Sequence, residues 1–304
     1  MGLELDVAPP KSNDDVVDND DAEDQNRFRG LTVVWLALFC DYLLMTIVIP
    51  IFPSSLPSSS EFEIGLLFSS KAAMQLVAAP VVASIIDGWG LVPLILGLLV
   101  EALSTLIFAC TTGYGTWFAA RAVQGLASSM VLSAGFLHVQ QLHAADQKAL
   151  GRAMAFATTG IISGVTIGPP IGGVLFEVEP SLPFVVLASF MGLSTAMAVA
   201  YYTYSPQPAA QAAELQEVST SDKACQLLQD CRVTVTLGAL LVANAAISCL
   251  ESTLGYYLEH ELGMSPGQVY QPSRCSPLRL VALCCCRNHP RPDPPIPTHP
   301  SRWA

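Results

Sequence analysis

Charged residues are scarce in this chain. Asp, Glu, Lys and Arg together make up 13% of the 304 residues, about half of their usual share in a soluble domain. Hydrophobic residues make up 52%, and the mean hydropathy is +0.47. The shortage of charge excludes a soluble globular protein for most of the chain, and lipid is the expected solvent.

Basic residues are few as well. Lys and Arg number 14 against 25 Asp and Glu, a formal net charge of −11, so no nucleic acid partner is expected. The acids concentrate between Asp6 and Asp24, where apolar residues are sparse. Residues 1–29 are therefore predicted to form a disordered acidic tail. A signal peptide is not expected, because the first long apolar run begins only at Leu31 and is too long for an h-region.

The motifs that enzymes need are also missing. The sequence contains no nucleotide-binding loop, zinc-protease helix or nucleophile elbow, so we expect neither an enzyme nor a cofactor. Its cysteines lack the spacing of a metal site. Cys40 and Cys110 lie within or at the end of apolar runs, where cysteine behaves as a small hydrophobe. The consecutive Cys284–Cys286 suit palmitoylation better than zinc, whose ligands need spacers.

Long apolar runs dominate what is present. Seven of them are near the length of about 20 residues that crosses the hydrocarbon core as a helix. They lack the period-two alternation of barrel strands, so an all-α membrane protein is predicted. The runs are Leu31–Ile51, Ile64–Ile86, Val92–Cys110, Tyr114–Leu137, Ala153–Phe176, Leu182–Tyr204 and Val233–Tyr257.

The positions of Lys and Arg predict the orientation of these spans. Basic residues occur only in alternate connections of the seven-helix region, which puts the N-terminus in the cytoplasm by the positive-inside rule. A seven-helix receptor, whose N-terminus lies outside, is thereby excluded. The basic residues concerned are Arg27, Arg29, Lys148, Arg152, Lys223 and Arg232.

A polar segment divides the spans unequally. We assign residues 30–204 to a six-helix transmembrane bundle, 205–232 to a cytoplasmic linker and 233–258 to a seventh helix. Two six-helix halves joined by such a linker are the plan of the major facilitator superfamily. The chain then corresponds to the N-terminal bundle plus one helix of the second half.

Five charged residues lie inside the apolar runs, where each costs at least about 2.5 kcal/mol. Asp41 suits a cationic substrate or a proton, and Glu101 is expected to be a bundle-facing acid kept protonated by desolvation. Lys71, Arg121 and Glu251 could face one cavity together with Asp41. Alternatively, Lys71 and Arg121 are structural and pair with carboxylates.

The same residues carry a resemblance to a known family. Residues 40–53 and 65–76 resemble the first and second helices of vesicular monoamine and acetylcholine transporters. The resemblance implies that Asp41 is the amine-binding aspartate and Lys71 the family's membrane lysine. Residues 118–125 resemble the superfamily's arginine motif, which associates Arg121 with proton coupling.

Other positions extend the resemblance. Glu251 lies where those transporters have a glutamate. Asp87 and Gly90, in the loop after the second span, belong to the superfamily's gating motif. The fifth span resembles the antiporter signature, in which glycines allow close helix contact and proline bends the helix during a rocking motion. The signature positions are Gly164, Gly168, Pro169, Gly172 and Gly173.

The resemblance implies proton-coupled antiport of small, amine-like organic cations by alternating access. A proton would titrate Asp41 or Glu251, and the charge change would alter the affinity for the cation. The expected location is a vesicle, vacuole or plasma membrane. Two alternatives stay open: a uniporter or symporter that uses Lys71 and Arg121 as anion ligands, and a non-transporting membrane protein whose glycines serve only packing.

The end of the chain departs from this pattern. The resemblance stops after Met264, and residues 269–304 are rich in Pro, Cys and Arg, as in translated non-coding sequence. We therefore expect a truncation after the seventh helix. Helices eight to twelve would be missing, among them the one expected to pack on Gly168–Gly173. Such a chain is expected to be an inactive isoform that does not transport by itself.

Overall fold

The computed structural model describes residues 13–49, 51–55, 60–86, 89–111, 113–205 and 229–262. Every regular element in these ranges is an α-helix, which confirms the predicted fold class. The helices are α1 (Asn13–Ile47), α2 (Ile51–Ser55), α3 (Glu61–Ile85), α4 (Val92–Cys110), α5 (Tyr114–Leu142), α6 (Gln147–Val178), α7 (Leu182–Tyr204) and α8 (Cys231–Leu262).

Six of these helices are long and apolar enough to cross a membrane, and they correspond to the first six predicted spans. They are α3 to α7 and the Asp24–Ile47 part of α1. In α8 the side chains are described over Cys231–Ala246, an apolar segment, and the helix continues to Leu262. Almost all side chains of that segment are exposed, so it stands apart from the core of the six-helix bundle.

The first helix begins earlier than the sequence pattern predicted. Residues 1–29 were expected to be disordered, yet the backbone is helical from Asn13 onward. Acidic residues crowd the first turns of α1, where the partial positive charge of the helix N-terminus favours them. The acidic segment therefore continues the first span as helix over residues 13–29.

Local signals explain where the membrane helices start. Ser60 and Glu63 form a capping box at the start of α3, with Ser60 N donating to Glu63 Oε2 at 2.7 Å. Proline in the first turn begins α4 and α7, where its missing N–H costs no helical hydrogen bond. The side chain of Asp146 caps α6 by accepting from Lys148 N.

Helix α1 is central to the bundle. It packs against α5, α6 and α7, while α3 packs on α5 and α4 packs on both α5 and α7. One apolar cluster surrounds Val33–Leu38 of α1, and a second, rich in aromatic rings, surrounds its Leu43–Ile47 turn. Asp41 lies between the two clusters, so the fold carries a buried carboxylate at the junction of two apolar layers.

The glycines of α6 bring it against α1. A Cβ atom at Gly160 would lie 2.6 Å from the carbonyl oxygen of Trp35, and one at Gly164 would lie 2.7 Å from that of Phe39. The same face continues through Gly168 and Gly172, which meet Thr46 and Ile47 of α1. Among the described residues the neighbour of Gly168 and Gly172 is α1, and glycine allows this close backbone approach. The contact of Gly168–Gly173 with a helix of the second half stays a prediction.

Candidate functional site

Asp41 and Lys71 form a buried ion pair between α1 and α3. Lys71 Nζ lies 2.7 Å from Asp41 Oδ1, and the two side chains are 5% and 2% exposed. Each charge alone would be very costly in this setting, and the pair offsets much of that cost only while both partners are present. Lys71 therefore pairs with a carboxylate, which is the contact that the structural alternative predicted for it.

The second oxygen of Asp41 has a partner on a third helix. Ser128 of α5 donates its hydroxyl to Asp41 Oδ2 at 2.7 Å. Asp41 thus joins α1, α3 and α5 through two short hydrogen bonds. Ser128 was not among the predicted site residues, although it lies seven residues after Arg121 and so on the same face of the helix.

Glu101 of α4 lies beside this pair, in the bundle interior as predicted. Its side chain is completely buried. It lies close enough to interact electrostatically with both Asp41 and Lys71. Neither oxygen of Glu101 has a hydrogen-bond donor among the described residues. The buried site therefore contains two carboxyl groups, those of Asp41 and Glu101, and one lysine, Lys71.

Arg121 of α5 is also buried, but its surroundings are different. Its Nη1 donates to Gln124 Oε1 at 3.3 Å, and Nε has no partner in the described part of the chain. Its guanidinium carbon lies 5.0 Å from the ring centroid of Phe52 and 5.9 Å from that of Phe68, which are cation–π distances. No carboxylate among the described residues forms a salt bridge with Arg121. The expected ion pair is therefore not formed there.

The remaining predicted site residues have mixed outcomes. Gly90 has a φ of +53°, a left-handed conformation that glycine adopts without strain, and it makes the tight turn between α3 and α4. Asp87 lies outside the described residues, and so does the side chain of Glu251, although the backbone there is helical. Pro169 lies within α6, which remains a continuous helix.

Metal ligation has no support in the described residues. No group of three or more His, Cys, Asp and Glu side chains in those ranges could hold a metal ion. The chemistry of the site is therefore described by ion pairs, hydrogen bonds and proton positions.

Comparison with known proteins agrees with this architecture. The Major Facilitator Superfamily description matches residues 34–285. The chain belongs to this superfamily. A solved structure, that of the human organic anion transporter MFSD10 (TETRAN), aligns with a TM-score of 0.56 and 18% identity, covering 80% of this chain and 69% of that one. At that identity the likeness concerns the fold alone.

Sequence relatives are more specific. The chain is 34% identical to a probable vesicular acetylcholine transporter-B of Danio rerio, over 79% of this chain and 50% of that protein. It is also 34% identical to the chromaffin granule amine transporter of Rattus norvegicus, over 64% of this chain and 36% of that protein. The superfamily member described here is thus similar to vesicular amine transporters, and it spans about half the length of these relatives or less.

Proposed function

We propose that the protein to which these residues belong exchanges protons for small organic cations by alternating access. The supporting observation is Asp41, a buried carboxylate held by an ammonium group at 2.7 Å and a hydroxyl group at 2.7 Å. A carboxylate that already binds one ammonium has the charge and the acceptor geometry to bind a second, amine-like cation in its place. The relatives named as acetylcholine and amine transporters give this proposal its substrate class.

The exchange has a simple electrostatic basis. Asp41 is occupied by Lys71 in the described state, so an entering cation competes with the lysine. Protonation of the carboxyl cluster weakens its hold on a cation, and loss of the proton restores it. A proton bound on one side of the membrane can therefore release a cation there, provided that the bundle opens to the two sides in turn.

The proposed orientation follows the basic residues. Arg29 lies near the start of the first span, and Lys148 and Arg152 lie near the start of α6. Four spans separate the two starts, so both are expected on one side of the bundle. We propose that this side is cytoplasmic. The similarity to vesicular transporters favours a vesicle or vacuole with an acidic interior, or the plasma membrane.

Uptake into proteoliposomes with an acidic interior tests this function. The chain is reconstituted alone and as a longer product that also carries helices eight to twelve, and acetylcholine and a monoamine are offered outside. We expect uptake by the longer product that collapses when an ionophore removes the pH gradient. The matched Asp41→Asn variant should insert but show no uptake. Uptake that does not depend on the gradient would contradict antiport.

One observation favours a second candidate, a carrier of anionic metabolites. Arg121 is buried and has no carboxylate partner among the described residues, whereas the charge of Lys71 is neutralised by Asp41. An anion ligand would therefore bind at Arg121 and not at Lys71. Offering organic anions in the same liposomes separates the two candidates, because uptake of an anion that survives Asp41→Asn but not Arg121→Gln supports the second.

A further inference from the structure

Glu101 is a buried ionisable group that takes no part in the ion pair of Asp41 and Lys71. It lies nine residues from either end of α4, which is roughly 14 Å of helix on each side. Its side chain has no exposed surface, and its two carboxyl oxygens have no donor among the described residues. An ionised carboxylate in this position would be a buried charge without any hydrogen bond, which is among the most costly arrangements in a protein interior.

The nearby hydroxyl groups do not relieve this cost. Thr105 and Ser104 donate to the backbone oxygen of Glu101 itself, at 2.7 and 3.0 Å. Ser128 donates to Asp41. These three hydroxyl groups are thus used elsewhere, and the acidic neighbour of the Glu101 carboxyl is Asp41.

The contact between the two carboxyl groups needs a proton. Two ionised carboxylates repel each other and offer only acceptors, whereas a protonated carboxyl can donate an O–H···O⁻ bond to its neighbour. Asp41 already accepts from Lys71 and Ser128, as an ionised carboxylate does. Glu101, whose oxygens lack donors, is the acid of the pair that carries the proton.

We propose that Glu101 is a second proton-binding residue of this site and shares its proton with Asp41. The buried cluster of Lys71, Asp41 and protonated Glu101 is then electrically neutral. The hydrogen bond that satisfies Glu101 is the one that it donates to Asp41. This assignment concerns a residue that the proposed amine-binding pair of Asp41 and Lys71 does not include.

The other groups around Glu101 are consistent with this charge balance. From α1, Cys40 and Asp41 are the ionisable neighbours, and α3 contributes Lys71. On α5 the charged group is Arg121, which interacts with Asp41. From α7, the buried residues at this level are Met191 and Ser194, which carry no charge.

The proposal deepens the antiport mechanism and rests on it for its functional consequence. When an organic cation binds at Asp41 while Lys71 stays charged, the O–H bond of Glu101 breaks and the proton passes to water on the open side. Two cations then face two carboxylates, and the cluster is neutral again. One proton is thereby released for each cation bound, and the cluster of Lys71, Asp41 and Glu101 with its bound cation carries no net charge.

Infrared spectroscopy of the purified chain in lipid nanodiscs tests the proton site without requiring transport. At neutral pH we expect a protonated-carboxyl band that shifts when isotope-labelled glutamate is incorporated. The band should be lost in Glu101→Gln, and also in Asp41→Asn, where Glu101 has to ionise to balance the charge of Lys71. The matched control is Glu179→Gln, the same change at an exposed residue, which should leave the band unchanged.

Folding of each variant is checked by circular dichroism, and Glu101→Asp keeps a protonatable group if Glu101→Gln does not fold. In Glu101→Asp the band should persist but no longer respond to labelled glutamate. A wild-type chain without the band, or a band that survives Glu101→Gln, would overturn the proposal. A band that behaves as expected, together with no gradient-driven uptake by the longer product, would leave the proton site standing and reject the antiport function.

Discussion

Two buried charges of the bundle, Asp41 and Arg121, have opposite surroundings. Asp41 is bound by an ammonium and a hydroxyl group from two other helices. Arg121 is held mainly by aromatic rings, with one longer hydrogen bond to Gln124 in its own helix. Both residues looked alike in the sequence, as single charges inside apolar runs. Their environments indicate that the binding partners of Asp41 can be exchanged, whereas Arg121 is fixed in its position.

The short helix α2 creates much of this difference. Its Phe52 is fully buried and forms tilted ring contacts with Phe68, Phe108 and Trp117, with ring centroids 5.2–5.8 Å away. This aromatic group covers Arg121 from the end of the bundle. The guanidinium therefore rests on π faces that cannot take up a proton or follow a substrate, whereas the carboxylate of Asp41 has partners that can change.

The largest effect is expected from Asp41→Asn. The change removes the counter-ion in contact with Lys71, and breaking a buried ion pair typically costs about 3–5 kcal/mol. Ionisation of Glu101 offsets only part of this loss. The measurement is the free energy of unfolding of the purified chain in mixed micelles. The double variant Asp41→Asn with Lys71→Met, which removes both charges, should recover most of the loss. A single variant as stable as wild type would show that the ion pair contributes nothing.

Ser128→Ala should have the next largest effect. A hydrogen bond to a charged group contributes about 1.5–3 kcal/mol, and Asp41 Oδ2 would lose its donor. Ser129→Ala is the matched control, because Ser129 donates only to the backbone oxygen of Leu126 in its own helix. We expect the first substitution to lower thermal stability clearly more than the second. Equal effects would mean that the third helix does not help to hold the carboxylate.

Gly164→Ala tests the contact that positions Asp41 from the other side of α1. The new methyl group would lie 2.7 Å from Phe39 O and 2.9 Å from Leu43 N, both backbone atoms. Overpacking of this kind costs about 1–3 kcal/mol. Gly192→Ala on α7 meets nothing within 4 Å and should be neutral or slightly stabilising. Thermal unfolding of both variants gives the comparison, and similar midpoints would contradict a tight α1–α6 contact.

The sequence was sufficient for part of this picture. Apolar runs of membrane-crossing length predicted seven spans, and the described helices confirm the first six, since few other structures satisfy the backbone in lipid. Burial of Asp41, Lys71 and Glu101 follows from the cost of facing hydrocarbon. The partner of each charged residue could not be predicted, because the periodicity of one helix does not show which of its faces contacts which neighbouring helix.

The contacts that were not predicted depend on how distant parts of the chain pack together. Phe52 comes directly after the first span, and nothing in its local pattern indicates that its ring lies against Arg121. Ser128 shares a helix face with Arg121, but the identity of its acceptor depends on how α1 and α5 pack. The glycines of α6 were correctly expected to make a close contact, yet their partner α1 is set by the packing of the whole bundle.

The smallest change in stability, and the sharpest contrast with Asp41, is expected from Arg121→Met. Arg121 has no carboxylate that would be left alone among the described residues. Replacing buried charged groups by well-packed apolar side chains is often neutral or stabilising, and methionine also packs well against Phe52 and Phe68. The unfolding midpoint should therefore stay the same or rise. Arg121→Lys keeps the charge but not the planar stacking group, so it should be less stable than Arg121→Met. Destabilisation by Arg121→Met as large as that by Asp41→Asn would reveal a counter-ion for Arg121 and remove the distinction between the two sites.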